Sequence, residues 1–194
     1  GGYNTAVGTN SLGGNTTASF NTSMGYASLD ANTTGHSNTG IGVSTLTDNT
    51  TGEQNVAVGR DALNKNTTGY YNVAVGNEAL YTNTTGLQNI AMGKHALYGN
   101  VTGQNNIGIG TSTLMANTGT ENTAIGLLSG RYQTGSNYNT FYGSRAGYAT
   151  TSSQNVCIGA YGASELTSGS GTVIIGYNAQ PYTATTANEI VVGF

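Results

Sequence analysis

The sequence predicts an all-β fold, a parallel β-solenoid of about twelve rungs with 16–17 residues each, and three observations carry that expectation. A glycine closing an AVG-like triplet recurs as Gly8, Gly25, Gly42, Gly59, Gly76, Gly93, Gly110, Gly126, Gly143, Gly159, Gly176 and Gly193, in steps of 17 residues except two of 16. β-Branched or apolar residues flank a small residue just ahead of each glycine. Every unit also holds at least two turn signals rich in Gly, Asn or Thr, which excludes a helical reading. Constant self-similarity along a whole chain is the signature of stacked supersecondary units.

The strand comes first in each unit. The residue before the glycine is Val7, Met24, Ile41, Val58, Val75, Met92, Ile109, Ile125, Tyr142, Ile158, Ile175 or Val192, apolar throughout, and is expected to face inward. Two residues earlier stand Thr5, Thr22, Thr39, Val56, Val73, Ile90, Ile107, Thr123, Thr140, Val156, Val173 and Ile190, all β-branched and on the same face by the period of two. The residue between is mostly small, as in Ala6, Ser23, Gly40, Ala57, Ala74, Ala91 and Gly108, and is expected on the opposite face, against a neighbouring chain.

A second inward knob follows four residues after the glycine: Leu12, Leu29, Leu46, Leu63, Leu80, Leu97 and Leu114. Three residues on, Asn15, Asn32, Asn49, Asn66, Asn83, Asn100 and Asn117 open a corner, usually Asn-Thr-Thr-Gly, whose residues bond locally and tolerate positive φ. Two short strands and two corners per rung are expected. Gly130, Gly147, Ala163 and Gln180 replace the leucine later, so residues 1–117 read as a regular array and 118–194 as a looser continuation of the same rod, running on into a flanking region. At about 4.8 Å per rung, the rod is roughly 55–60 Å long.

Composition agrees with thin rungs. Gly, Thr and Asn number 31, 32 and 24 of 194 residues, whereas hydrophobic residues reach 36% and charged ones 7%, too few for one large core. A net charge of −3 gives no footprint for nucleic acid or an anionic membrane, and no apolar stretch is long enough for membrane insertion. The opening GGYNTAVG lacks an initiator Met and reads as a fragment or processed piece. Rungs this thin bury little apolar surface against the entropy of ordering them, which favours association of several identical solenoids along their length, as a homo-oligomer.

Nothing in the sequence assembles catalytic or metal chemistry. His36 and His95 occupy unlike repeat positions with no ligand partner at metal-binding spacing, and Asp30, Asp48, Glu53, Asp61, Glu78, Glu121, Glu165 and Glu189 form no column. Cys157 takes a small-residue place and reads as a packed thiol, and Gly108-Ile109-Gly110 belongs to the repeat rather than to a phosphate loop. Asn15, Asn21, Asn32, Asn49, Asn66, Asn83 and Asn100 satisfy the N-x-S/T glycosylation pattern, but stacked corner chemistry explains them better. Among 13 tyrosines, Tyr70, Tyr71, Tyr81 and Tyr98 are candidate receptor contacts, able to stack on sugar rings.

The units NVAVGRDALNKNTTG, NVAVGNEALYTNTTG and NIAMGKHALYGNVTG resemble the head repeats of trimeric autotransporter adhesins, the YadA-like family, and related repeats of bacteriophage tail fibres. The resemblance covers essentially the whole chain, including the tail TANEIVVGF, which looks like the end of such fibre repeats. It implies a left-handed β-roll wound from three copies and projecting from a virion or cell surface. The repeat is longer than the usual adhesin unit, so collagen binding does not carry over. The functional expectation is a non-enzymatic structural and adhesive rod without cofactor, attaching to a surface glycan or protein receptor. The alternatives are an ice-binding solenoid, an extracellular fibre subunit without a specific receptor, and a polysaccharide-cleaving fibre with its carboxylates gathered in a groove.

Overall fold

The computed structural model describes residues 1–193; Phe194, the last residue of the looser array and of its tail, lies outside them. Twelve parallel strands of three residues stack in chain order as one sheet: β1 (Thr5–Val7), β2 (Thr22–Met24), β3 (Thr39–Ile41), β4 (Val56–Val58), β5 (Val73–Val75), β6 (Ile90–Met92), β7 (Ile107–Ile109), β8 (Thr123–Ile125), β9 (Thr140–Tyr142), β10 (Val156–Ile158), β11 (Val173–Ile175) and β12 (Ile190–Val192). Each residue pairs with its repeat equivalent, as in Val56↔Val73↔Ile90. The two 16-residue steps keep this register, since Ile107 pairs with Thr123 and Thr140 with Val156. No helix of the described residues is long and apolar enough to cross a membrane.

Each rung has one strand rather than two. The other walls are turns, because residues in the left-handed region interrupt any extended run: in the fourth rung these are Gln54, Asp61 and Leu63, at φ 55°, 58° and 50°. The turns still stack through rung-to-rung backbone hydrogen bonds, Leu63 N–H donating to the Ala79 carbonyl at 3.0 Å and Thr67 N–H to that of Thr84 at 2.9 Å. Other backbone donors of the turns close within their own rung, as Asn66 N–H on the Leu63 carbonyl at 3.1 Å, so the buried walls satisfy their polar groups both between and within rungs.

The twelve glycines form a column. From Gly8 to Gly176 their φ lies between 120° and 141°, a region essentially reserved for glycine. A Cβ on Gly76 would also lie 2.7 Å from the carbonyl of Gly93 above it.

The strand faces are the reverse of the sequence expectation. The small central residues point inward: Ala57, Ala74, Ala91 and Ala124 are fully buried, as are Ser23, Phe141, Cys157 and Ile174. The files expected in the core point out. Val7, Ile41, Ile158, Ile175 and Val192 are exposed, and Val58, Val75, Ile109 and Ile125 are half-buried. The reason is the thinness of the rung. Its interior is already filled by the leucines, of which Leu29 to Leu114 are fully buried, and a Cβ on inward-facing Gly108 would come within 3.2 Å of Leu97 Cγ. Only small strand residues fit opposite a leucine.

The same volume rule accounts for the lost leucines. Their column is left-handed, φ 49° to 53°, and Gly130 and Gly147 adopt it at 58° and 60° without steric cost. The space goes to Phe141, whose ring would lie 2.9 Å from a Cβ on Gly130 and 2.5 Å from one on Gly147. In the next rung Leu166 takes over the buried position held elsewhere by a corner asparagine.

Replacing Gly76 by Ala is expected to cost about 3 kcal/mol or more, from backbone strain plus the clash with Gly93. The same change at Gly135, φ 63° with open space around it, is expected to cost about 1 kcal/mol. Urea unfolding followed by circular dichroism measures both.

Candidate functional site

Two asparagine ladders hold the corners and thereby set what the outer faces can present. In the corner file, Asn66 Nδ2 donates to Asn49 Oδ1 at 2.7 Å and to the Gly69 carbonyl at 3.0 Å, and Asn83 repeats the arrangement on Asn66. A second file stands one residue before each of the strands β1 to β10, from Asn4 through Asn21, Asn38, Asn55, Asn72, Asn89, Asn106, Asn122 and Asn139 to Asn155. There Asn72 Oδ1 accepts the backbone N–H of Asn89 at 3.0 Å, and Asn72 Nδ2 donates to the Gly86 carbonyl at 2.8 Å. The sequence analysis missed this file as a column, although its signal is plain: an Asn four residues before nearly every repeat glycine.

These ladders decide the glycosylation motifs. Asn32, Asn49, Asn66, Asn83 and Asn100 are fully buried with their Nδ2 atoms donating, and Asn21 Nδ2 donates to the Gly35 carbonyl at 2.9 Å. A glycan on any of them would take a donor from an inward ladder. The corner threonines divide: Thr33, Thr50 and Thr67 hydroxyls donate to the next rung's carbonyls at 3.0–3.1 Å, whereas Thr17, Thr34, Thr51, Thr68, Thr85 and Thr102 form an exposed file.

Two outer faces remain for recognition. The first is the outward side of the sheet, two files of Thr, Val, Ile and Met with Tyr142, without a single charged residue. The second is the turn following each bend, where charges and aromatics collect. Asp48 accepts from Lys65 at 3.0 Å, Asp61 from Arg60 at 2.8 Å, and Glu78 lies 3.2 Å from His95 Nε2. Above them Tyr81 and Tyr98 stack, centroids 5.3 Å apart and 7° from parallel, with His95 edge-on to Tyr98. Tyr70 and Tyr71 meet only each other, at 5.1 Å, on the corner ahead of a strand. The four candidate tyrosines therefore form two separate pairs rather than one platform.

The remaining titratable groups are dispersed. His36 Nδ1 accepts the Ser19 backbone N–H at 3.0 Å, and among the described residues no group of three His, Cys, Asp or Glu side chains gathers to hold a metal. Cys157 is fully buried, and desolvation pushes its thiol up to about 12. The arrangement offers extended surfaces for contact.

No protein-family model, curated protein or solved structure matches the chain.

Replacing Asn72 by Asp puts a carboxylate against the Gly86 carbonyl and Asn55 Oδ1. The expected loss is at least about 3 kcal/mol near neutral pH; it shrinks as pH falls through the raised pKa of the buried carboxyl and its charge-dependent part is gone below about pH 4, where the carboxyl is protonated in both states; urea midpoints across pH measure it. Cys157 is expected to resist thiol reagents in the native protein and to react fully once unfolded. Its raised thiol pKa favours the folded state below about pH 8.5, and that contribution is lost as pH climbs toward the folded value, which a pH series of unfolding midpoints detects.

Proposed function

We propose that this chain is one of three intertwined copies in a left-handed, non-enzymatic rod that serves attachment at a virion tail fibre or a cell surface. The observation supporting it is the uncharged outer face of the sheet. Val7, Met24, Ile41, Met92, Tyr142, Ile158, Ile175 and Val192 are exposed on it, and the other files carry only threonine and aliphatic residues. With strands about 4.8 Å apart, such a face covers on the order of 500 Å², a contiguous apolar area of the size that marks an interaction surface. An identical rod is its natural cover, because the repeat offers a matching hydrophobic strip at every level and closed symmetry leaves none unpaired. The number three and the handedness come with the family resemblance.

Adhesion is favoured over ice binding because only one of the two corner threonine files keeps its hydroxyls for water; the other donates to carbonyls. Attachment then falls to the aromatic and charged turn face, with Tyr81 and Tyr98 as one stacked contact.

Native mass spectrometry is expected to give three times the 19.7 kDa chain mass, and Val75→Lys with Ile109→Lys to abolish the assembly. A folded wild-type monomer at micromolar concentration would sink the trimer. Failure of the labelled wild-type rod to adhere to any bacterial or animal cell surface, together with thermal hysteresis, would turn the reading to ice binding.

A further inference from the structure

The looser half of the rod carries an arrangement found in no other rungs. Arg131, Tyr132, Arg145, Tyr148, Tyr161 and Tyr177 come from four successive rungs, with Arg131 and Tyr148 at one repeat offset, Arg145 and Tyr161 at another, and Tyr132 and Tyr177 at neighbouring offsets, and they meet on one face. Tyr132 and Tyr148 lie edge-to-face at 5.1 Å, and Tyr161 and Tyr177 at 6.0 Å. The Arg145 guanidinium bridges the two pairs, its Cζ 5.7 Å from the Tyr148 ring and 5.5 Å from that of Tyr161, and Arg131 Cζ lies 5.3 Å from the ring of Tyr132. The ledge spans three rung steps, about 14 Å.

Its charge is uncompensated. Among the basic side chains, Arg60 and Lys65 are neutralised by Asp61 and Asp48, whereas neither Arg131 nor Arg145 is in an ion pair among the described residues. Arg131 Nε is moreover buried without a hydrogen-bond acceptor. A guanidinium resting on tyrosine rings is held in place by its attraction to their faces but keeps its full charge and free N–H donors for an outside anion. Tyr132, Tyr161 and Tyr177 meanwhile stay 37–66% exposed, with apolar ring surface open to solvent beside that charge.

We propose that this ledge binds an acidic saccharide, with the arginine forks taking the carboxylates of successive uronate-type sugars and the tyrosine rings taking the apolar faces of their pyranoses. Carboxylate is favoured because the planar fork matches it with two parallel hydrogen bonds. A saccharide is favoured over an acidic peptide because the ledge is an open zigzag of rings, with no concavity to seat amino-acid side chains. A long nucleic-acid polyanion is disfavoured by the net charge of −3 around only two free arginines. The proposal rests on the adhesive reading and names the ligand class for it.

The test titrates the intact wild-type protein with oligogalacturonate, with its methyl ester, which keeps the rings and removes the charge, and with polyglutamate. Oligogalacturonate is expected to bind at least tenfold more tightly than either control, and progressively less tightly as salt rises. Arg145→Gln, at an exposed site, and Arg131→Gln are each expected to weaken it about tenfold, while Arg60→Gln leaves it unchanged; thermal melts confirm the fold of each variant. Tyr161→Ala is expected to lower the affinity for oligogalacturonate by a similar factor. No binding, equal binding of the ester, tighter binding of polyglutamate, or undiminished affinity in a folded Arg145→Gln protein would each overturn the assignment. Cell adhesion that persists in the Arg145→Gln rod while oligogalacturonate fails to compete would remove the ledge alone. Saccharide binding by a rod that adheres to no cell would instead remove the adhesive reading.

Discussion

Every level of this molecule obeys one constraint: each residue lies directly beneath its own equivalent in the next rung. In-register stacking sets like on like, so a column must be occupied by residues that tolerate their own kind. Asparagine suits this better than any charged residue, because one amide gives and accepts at once, and side-chain amides link rung to rung from Asn32 to Asn117 in the corner file and from Asn38 to Asn155 in the other. Aspartate in the same column would repel its copy, and lysine would do the same. Thus a chain of 194 residues has 24 Asn and 32 Thr but only 13 charged side chains. Some charges stack on opposite charges, as Lys65 on Asp48, or on rings, as in the Arg–Tyr ledge, whereas the like-charged neighbours Asp61 and Glu78 are matched by Arg60 and His95 beside them.

The second determinant is the narrowness of the interior. Leucines on the turn wall occupy most of it while adopting a left-handed backbone that costs an L-residue about 1 kcal/mol, a cost offset by burial worth about 2 kcal/mol or more. The strand wall must then stay small, and the large β-branched residues are turned outward. Where Phe141 breaks the rule from the strand side, glycines replace leucines on the turn side. The apparent irregularity of the second half is therefore a trade of volume between facing walls. The 16-residue rungs likewise lose their residue in the corner, as in Asn117-Thr118-Gly119, and leave the strands aligned.

These constraints divide the surface by task. The sheet exterior is uncharged and monotonous, built of threonine and large apolar residues. The turn face is free to vary, since its side chains neither fill the interior nor pair in the sheet. Charged and aromatic side chains collect there, and their character changes along the rod, from compensated ion pairs beside Tyr81 and Tyr98 to uncompensated arginines on the Tyr132–Tyr177 ledge.

Periodicity alone determined the stacked parallel architecture, the glycine bends, the leucine column and the asparagine corners, because each is a one-dimensional pattern that the constant step of the repeat projects directly onto a column. Alternation also separated the two sides of the strand. It could not say which side was inner, since hydrophobicity pointed to Val58 and Ile109, whereas Ala57 and Gly108 are the buried ones and a Cβ on Gly108 would already crowd Leu97. The Arg–Tyr ledge was equally hidden, because its two shared columns, Arg145 beneath Tyr161 and Arg131 beneath Tyr148, hold unlike residues that no repeat consensus picks out, and Tyr132 and Tyr177 join them from neighbouring offsets through side-chain reach across rungs. Column membership is written in the chain; the volume between facing walls, and the meeting of side chains from unlike positions, exist only once the rungs are stacked.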